Sequence, residues 1–264
     1  MVLRLLRSRS GINPLTTSVG EPAVLVFIPA IRYLISRSIP IDPNNAVHTV
    51  SLSLTFIVFH VYILTAFSLE QLIDEAGQGT TISNLWTQDI LLAITALLGV
   101  GWLQNRNIGQ TLARLGLVRP TMRLVLLGVA FAMGFVFINV VLEQLASITG
   151  IGIDPNVDKV TDQELGPLFN TIPGILTLGL AAALGEELIF RGALLPRFGL
   201  VYTSILFTLV HANYGLSIAT LIVFILAISL GILRKRYSTT LTMITHASYN
   251  IILGLMTMIG SHYT

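Results

Sequence analysis

The sequence contains no cysteine and few charged residues. Without cysteine, the 264-residue chain has no disulfide, no thiol nucleophile and no thiolate ligand for zinc or an iron–sulfur cluster. Charged residues make up only 11% of the chain, whereas typical soluble domains contain roughly 25%. Because 53% of the residues are hydrophobic and the mean hydropathy is +0.81, an ordinary water-soluble domain is excluded and a membrane protein is indicated.

Apolar segments that approach the length of a membrane span recur along the chain. A spanning helix needs about 20 largely apolar residues. The seven candidate segments are residues 49–69, 90–103, 124–142, 172–190, 200–213, 216–233 and 240–260. An eighth segment, residues 23–36, is shorter and contains Arg32, so we favour an interfacial or re-entrant helix there over a further span. The sequence therefore predicts an all-α, polytopic membrane helix bundle of about seven or eight transmembrane helices.

The predicted helices divide the chain into three parts. Residues 1–48 form a basic N-terminal segment that contains the interfacial or re-entrant helix. Residues 49–171 contain the N-terminal transmembrane helices and their loops, and residues 172–260 contain the C-terminal helices that carry the candidate chemistry.

The loops between the predicted spans alternate in charge, although the formal net charge is only +2. One side of the predicted bundle has thirteen basic and two acidic residues, and the other has one basic and nine acidic residues. The acidic side includes Asp89 and a loop from Glu143 to Glu164. Short cytoplasmic loops collect Lys and Arg, so the N-terminus is predicted on the cytoplasmic side and the C-terminus on the opposite side. We expect anionic lipid at the basic face and no nucleic-acid partner.

Three charged residues lie in or beside the predicted span at 172–190. Each charge near a bilayer centre costs about 2.5–3.5 kcal/mol on insertion scales, so Glu186, Glu187 and Arg191 need partners. Glu187 and Arg191 are four residues apart with Glu first, which is the favourable order for an ion pair on one helix. Glu186 points about 100° away around the helix, so we expect its partner to come from another helix.

Two histidines are candidate partners for Glu186. Counting helical residues from the basic loops puts Glu186, His211 and His246 about 15–21 Å from the cytoplasmic face, at one level of the bilayer. Asn250 follows His246 by one helical turn, and Phe207 precedes His211 by one turn, so each can lie beside its histidine. A carboxylate, two imidazoles and an amide supply a base, a proton carrier and donors to a developing oxyanion. Such a set matches the hydrolysis of an amide by an activated water.

These motifs, taken in order, resemble those of the CAAX prenyl protease and bacteriocin-processing family of intramembrane proteases, also called the Abi family. The motifs are Glu186-Glu187-x-x-x-Arg191-Gly192, Phe207-x-x-x-His211 and His246-x-x-x-Asn250. The resemblance covers residues 172–260. It implies that Glu186 and His211 activate the hydrolytic water and that His246 and Asn250 stabilise the oxyanion. Glu187, Arg191 and Phe207 would be supporting residues.

The resemblance further implies an integral membrane endopeptidase that acts on a membrane protein or a lipidated peptide, with a stable membrane-protein partner as an additional expectation. No cofactor is favoured, because the His-Glu-x-x-His zinc signature is absent and the family resembles metal-free glutamate proteases. Zinc held by Glu186, His211 and His246 stays open as the alternative. A non-catalytic factor in membrane-protein binding, assembly or immunity is the alternative function. A transporter or proton pathway is a third hypothesis.

Overall fold

The computed structural model describes residues 25–68 and 79–260, and these residues are mainly helical, with no β-strand among them. In chain order the helices are α1 (Pro29–Ile35), α2 (Ala46–Phe67), α3 (Ile82–Gly99), α4 (Ile108–Leu115), α5 (Met122–Thr149), α6 (Pro155–Phe169), α7 (Ile172–Phe198), α8 (Leu200–Leu209), α9 (Ile218–Arg236) and α10 (Thr239–Gly260). The predicted polytopic helix bundle is confirmed. The start of the N-terminal basic segment, and the part of the acidic side between 69 and 78, lie outside the described residues.

Six of the described helices are long and apolar enough to cross a membrane, namely α2, α3, α5, α7, α9 and α10. The predicted span at 200–213 differs, because α8 has only ten residues, or about 15 Å of helix. Its backbone continues without helix through His211 and then forms a 3₁₀ turn, Ala212–Tyr214. Helix α1 has seven residues, far fewer than a span requires. Residues 23 and 24 lie outside the described residues, and the interfacial or re-entrant helix stays a prediction.

Helix α3 begins earlier than the sequence predicted. The predicted second span starts at residue 90, whereas α3 starts at Ile82, and the Thr81 side chain caps it by accepting the backbone N–H of Asn84. Asp89 therefore lies inside α3 and is only 2% exposed. The prediction that Asp89 belongs to an outer acidic loop was wrong. Several polar residues lower the mean hydropathy of residues 82–89, so the span was predicted to begin later, although this part of the helix packs against α7.

The acidic stretch after the third predicted span is largely helical rather than a loop. Glu143 belongs to α5, which continues to Thr149. Helix α6 follows after a short turn, with Asp154 as its N-cap and Pro155 as its first residue, both of which favour a helix start. The predicted outer loop is thus corrected to the end of one helix and a second, polar helix.

Helix α7 lies between α3 and α10 and contacts both of them closely. Gly179 faces the side chain of Ile251 in α10, and Gly185 faces Asp89 in α3. Small residues allow helices to approach one another in lipid, where no hydrophobic force between helices is available. Beyond Glu186 the α-helical backbone changes to a π-helical turn, Glu187–Leu194, before a last α-helical turn. Such π turns are rare and occur frequently at functional sites.

The close contact between α7 and α10 can be tested with two glycine substitutions. A Cβ atom at Gly179 would lie 2.6 Å from Ile251 Cγ1 and 2.8 Å from the Ala247 carbonyl oxygen. We expect Gly179→Ala to lower the free energy of unfolding by about 1–3 kcal/mol through overpacking. Gly134→Ala is the matched control, because a Cβ there meets nothing within 4 Å. It should be neutral or stabilise the helix by up to about 1 kcal/mol. Thermal unfolding in detergent compares them, and equal destabilisation by both would contradict the contact.

Candidate active site

A buried cluster of charged side chains lies at the π turn of α7. The side chains of Glu187 and Arg191 are 0% and 2% exposed, and Arg191 Nη1 lies 3.3 Å from Glu187 Oε1. His246 Nδ1 forms a hydrogen bond of 3.0 Å with the same carboxylate oxygen. Glu187 therefore has one partner on its own helix, at the spacing expected from the sequence, and a second partner on α10 that the sequence did not indicate.

Phe207 connects this cluster to α8. The guanidinium carbon of Arg191 lies 4.2 Å from the centroid of the Phe207 ring, a cation–π contact worth about 2 kcal/mol when desolvated. The same ring lies 4.7 Å from the imidazole of His211. Arg191 Nη2 also donates to the carbonyl oxygen of Ala227 in α9 at 3.4 Å. The sequence predicts the contact of Phe207 with His211, whereas it does not predict the contact with Arg191, which joins the consecutive helices α7 and α8.

Glu186 faces both histidines. Its Oε1 lies 3.9 Å from His211 Nε2, and its Oε2 lies 4.0 Å from His246 Nε2. Both separations exceed the length of a direct hydrogen bond, and a polar separation above about 3.5 Å is one that a water can bridge. Glu186 Oε2 is buried and has no hydrogen-bond partner. The structure thus brings together the three side chains that the sequence placed at one level.

The end of α8 determines how His211 is presented. His211 lies just beyond the helix, and its Nδ1 is 2.8 Å from the carbonyl oxygen of Phe207. An Nδ1–H that donates to this carbonyl leaves Nε2 as the acceptor that faces Glu186. Tyr214 stacks on the imidazole with ring centroids 6.0 Å apart and an angle of 13° between the planes. The sequence reasoning missed Tyr214, although its position three residues after His211 was a usable signal.

Asn250 lies one turn after His246 and lines the same cavity as Glu186. Its Nδ2 donates to the carbonyl oxygen of Leu178 at 3.2 Å. An amide nitrogen carries two protons, so this bond fixes the side chain and leaves a second N–H. Beside it, the hydroxyl of Tyr249 donates to Asn139 Oδ1 at 3.0 Å. The amide is therefore held in place by α7, while its neighbour attaches α10 to α5.

A cavity of about 730 Å³ contains the candidate site. Helices α5 to α10 all contribute to its walls, and Glu186, His211, His246 and Asn250 line it. Its volume falls in the range of known small-molecule sites, about 300–1,000 Å³. Much of the remaining wall is apolar, and its residues include Leu178, Ala182, Val223, Leu226, Leu253 and Met256. A chain segment with apolar side chains could enter such a space.

Helix α6 forms one wall of the cavity. Asp158, Asp162, Leu165 and Phe169 line it, and their spacing of three or four residues puts them on one face of the helix. Glu143 of α5 lines the same cavity. The acidic stretch that the sequence assigned to a solvated loop is therefore part of the wall around the candidate site.

A further buried carboxylate approaches the site from α3. Asp89 packs against the backbone beside Glu186, since a Cβ at Gly185 would lie 2.3 Å from Asp89 Oδ1. That oxygen has no hydrogen-bond partner. The absence of a side chain at Gly185 is what allows the carboxyl to fit there. The sequence reasoning missed Asp89 because it placed the start of α3 too late.

Glu186 lies farther from His211 and His246 than the ligands of a tetrahedral zinc ion lie from one another. Zinc holds nitrogen and oxygen ligands at about 2.0–2.2 Å, which brings ligands of one ion closer together than the 3.9 and 4.0 Å between Glu186 and the two histidines. Among residues 25–68 and 79–260, no group of three His, Cys, Asp or Glu side chains has the arrangement of a metal site.

Comparison with known proteins identifies a family for this part of the chain. Residues 168–252 match the family described as type II CAAX prenyl endopeptidase Rce1-like, and the match contains all three motifs. No curated protein and no solved structure matches the chain. The resemblance stated from the motifs is therefore confirmed: residues 168–252 are similar to that family.

The buried ion pair gives a prediction about stability. Arg191→Met leaves the carboxylate of Glu187 buried without its cationic partner on α7, so we expect a loss of about 3–5 kcal/mol in the free energy of unfolding. The double variant Glu187→Gln/Arg191→Met should lose less than the sum of the two single variants, because no unpaired charge remains. Chemical unfolding in detergent measures the free energy of unfolding of the two single variants and the double variant. Strictly additive losses would show that the two side chains do not depend on each other.

Proposed function

We propose that the protein is an intramembrane endopeptidase, which hydrolyses a peptide bond in a membrane-associated protein or a lipidated peptide. The observation that carries the proposal is the convergence of Glu186, His211 and His246 on one cavity inside a membrane helix bundle. The Rce1-like match of residues 168–252 supports the same class of reaction. The substrate would enter the cavity with the scissile carbonyl beside Glu186.

In this proposal Glu186 and His211 activate the attacking water. A water between Glu186 Oε1 and His211 Nε2, which are 3.9 Å apart, can donate a hydrogen bond to each of them. Glu186 accepts the proton as the water oxygen bonds to the carbonyl carbon. The C–N bond then breaks, and the proton held by Glu186 passes to the leaving amine. The products are a carboxyl terminus and an amine, with no other reactant needed.

His246 and Asn250 are proposed to stabilise the oxyanion. The hydrogen bond between His246 Nδ1 and Glu187 orients the imidazole and leaves Nε2 directed at the cavity. With a proton on Nε2 as well, His246 can donate to the developing negative charge while Glu187 and Arg191 keep its position. Asn250 supplies a second donor, because its bond to Leu178 uses only one of its amide protons.

The orientation in the membrane is part of the same proposal. The last turns of α7 and α9 carry Arg197 and the run Arg234 to Arg236. The acidic helix α6 packs at the other end of α7, where Leu168 contacts Gly174. Basic ends of membrane helices face the cytoplasm. Since α7 and α9 both end on the basic side, residues 200–217, with the short helix α8, must cross the bilayer between them and add a seventh crossing to the six long helices. With seven crossings, we propose that the N-terminus is on the cytoplasmic side, the C-terminus on the opposite side, and α6 on the side away from the cytoplasm.

Substitutions in the site test the proposed catalysis. Glu186→Gln and His211→Gln should each lower cleavage by at least about 100-fold, the usual contribution of general acid–base catalysis, without lowering the thermal unfolding temperature. His60→Gln is the control, since it changes a histidine in α2 that does not line the cavity. The assay incubates each protein in liposomes with a mixture of membrane peptides and identifies new termini by mass spectrometry.

The activity test has two outcomes that would count against the proposal. Unchanged cleavage by both site variants would show that these side chains do not activate the water. Complementation examines the alternative of a non-catalytic factor. If Glu186→Ala protein rescues the phenotype of a deletion strain as well as the wild type does, the biological role is binding or assembly rather than proteolysis.

Chelation tests the proposal that no metal takes part. Protein washed with a strong chelator should keep its full rate of cleavage, because Glu186 and the histidines hold the water without a metal ion. Elemental analysis of the same preparation provides the control for complete removal. Loss of activity that zinc restores would instead assign Glu186, His211 and His246 as metal ligands.

Helix α6 provides a test of the cavity as the path of the substrate. Asp162 lines the cavity and its neighbour Gln163 does not, although both are exposed. Asp162→Lys should therefore change the KM for cleaved peptides, whereas Gln163→Lys should leave it unchanged. Steady-state kinetics with one peptide that the wild-type protein cleaves in the liposome assay give the KM of both variants. Equal effects would indicate that α6 does not contact the substrate.

A further inference from the structure

Four arginines are neighbours at the end of α7 opposite α6. Arg106 follows α3, Arg114 belongs to α4, Arg197 to the last turn of α7 and Arg234 to the last turn of α9. Arg234 lies against Gly116, two residues after Arg114, and Arg114 donates to the carbonyl oxygen of Gly192, five residues before Arg197. Elements that are distant in the sequence therefore meet here, close enough for the charges of Arg106 and Arg197 to act on Arg114.

Two of these arginines, Arg114 and Arg234, are half-buried and lie against the backbone of neighbouring elements. Arg114 Nη1 donates to the carbonyl oxygen of Gly192 at 3.3 Å. The guanidinium of Arg234 lies over Gly116, where a Cβ would be only 2.1 Å from Nη2. Gly116 also has φ 74°, a left-handed conformation that favours glycine, so both the turn and the space for Arg234 depend on it. Arg234 Nε is buried and has no hydrogen-bond partner.

Within the part of the chain that the structure describes, no acidic side chain forms an ion pair with these arginines. Every ion pair within 4.0 Å among the described residues involves Glu186 or Glu187, and none of these pairs includes Arg106, Arg114, Arg197 or Arg234. Arg197 Nε donates to His48 Nε2 at 3.1 Å, and Asp42 lies on the other side of that histidine. Burial and the charges of Arg106 and Arg197 lower the pKa of Arg114, as expected for an unneutralised cluster.

The geometry favours an anion with several oxygen atoms. Arginine presents a planar fork of donors that matches phosphate, and its bonds to phosphate are frequently bidentate. Gathered cations repel one another, so a bound anion would relieve an unfavourable interaction already present in the protein. The cluster lies at the basic ends of α7 and α9, where a spanning helix reaches the lipid headgroups. Basic pockets between helices at this depth bind the headgroups of anionic lipids.

We propose that Arg106, Arg114, Arg197 and Arg234 form a specific site for the phosphate group of an anionic phospholipid. The site goes beyond a general attraction of the basic face for lipid, because it lies between α4, α7 and α9 and uses half-buried donors. Through Arg114 it adjoins Gly192 in the π turn, so a bound phosphate connects α4 to the segment that carries Glu187 and Arg191. This inference does not depend on the proposed proteolysis.

Lipid binding to the full-length protein in detergent tests the site. Phosphatidylglycerol is titrated, bound lipids are counted by native mass spectrometry, and the thermal unfolding temperature is followed. Wild-type protein should bind phosphatidylglycerol and unfold at a higher temperature, with no such rise in phosphatidylcholine. Arg114→Gln/Arg234→Gln should weaken binding at least about tenfold, since it removes charge-assisted hydrogen bonds made directly to the phosphate. Arg123→Gln/Arg236→Gln removes the same charge from exposed basic positions outside the cluster and should bind as the wild type does.

The controls separate the outcomes. Binding at wild-type strength by Arg114→Gln/Arg234→Gln, or an equal loss in the control, would overturn the site in favour of diffuse attraction. Inorganic phosphate is titrated in parallel, and an equal rise in unfolding temperature would show that the site takes free phosphate rather than lipid. If the double variant does not fold, the binding of phosphatidylglycerol to the single variant Arg114→Gln tests the site. It should bind several-fold more weakly, and unchanged binding would overturn the proposal.

Discussion

The ion pair of Glu187 with Arg191, completed by His246, is the interaction on which the C-terminal half of the bundle depends. Charges at this depth are costly without partners, and here one carboxylate oxygen contacts both a guanidinium and an imidazole. The same arginine contacts Phe207 of α8 and the backbone of α9. Four helices thereby meet at one buried cluster. Loss of Glu187 or of Arg191 leaves the other charge buried without its partner, which is strongly destabilising.

The two adjacent glutamates have different surroundings because the helix turns about 100° at each residue. Glu187 points into the packed cluster and is fully buried, whereas Glu186 reaches the cavity and approaches two histidines without bonding to them. A paired carboxylate supports the structure, and an unpaired one is available for chemistry. Separate environments for neighbouring carboxyl groups commonly give them separate roles in enzymes.

Much of this arrangement follows from spacing along single helices. The spans could be predicted from hydropathy, and the pairing of Glu187 with Arg191 follows from a four-residue interval. Glu186, His211 and His246 each lie a similar number of helical residues from a basic loop. This spacing puts the three side chains at one level of the bilayer and predicts that they converge. What the sequence did not reveal depends on contacts between helices. Asp89 was misplaced because its burial comes from packing on Gly185, and hydropathy does not register that contact.

The break after α8 and the acidic wall of the cavity were also beyond the sequence pattern. An apolar segment at 200–213 has the composition of a span, yet its helix ends at Leu209 and presents His211 from non-helical backbone. Irregular backbone at membrane depth is tolerated where it lines a cavity, and His211 and Tyr214 do line one. Helix α6 has few apolar residues, so hydropathy does not predict that it packs beside the site. Its position there is seen only in the structure, where its residues line the cavity.

We propose that peptides in the membrane are cleaved in the cavity around Glu186. Mass spectrometry of membrane peptides and new protein termini, from cells that make equal amounts of wild-type and Glu186→Ala protein, tests this directly. We expect a defined set of cleavage products that are present with the wild type and absent with Glu186→Ala. Identical sets from the two kinds of cell would contradict it.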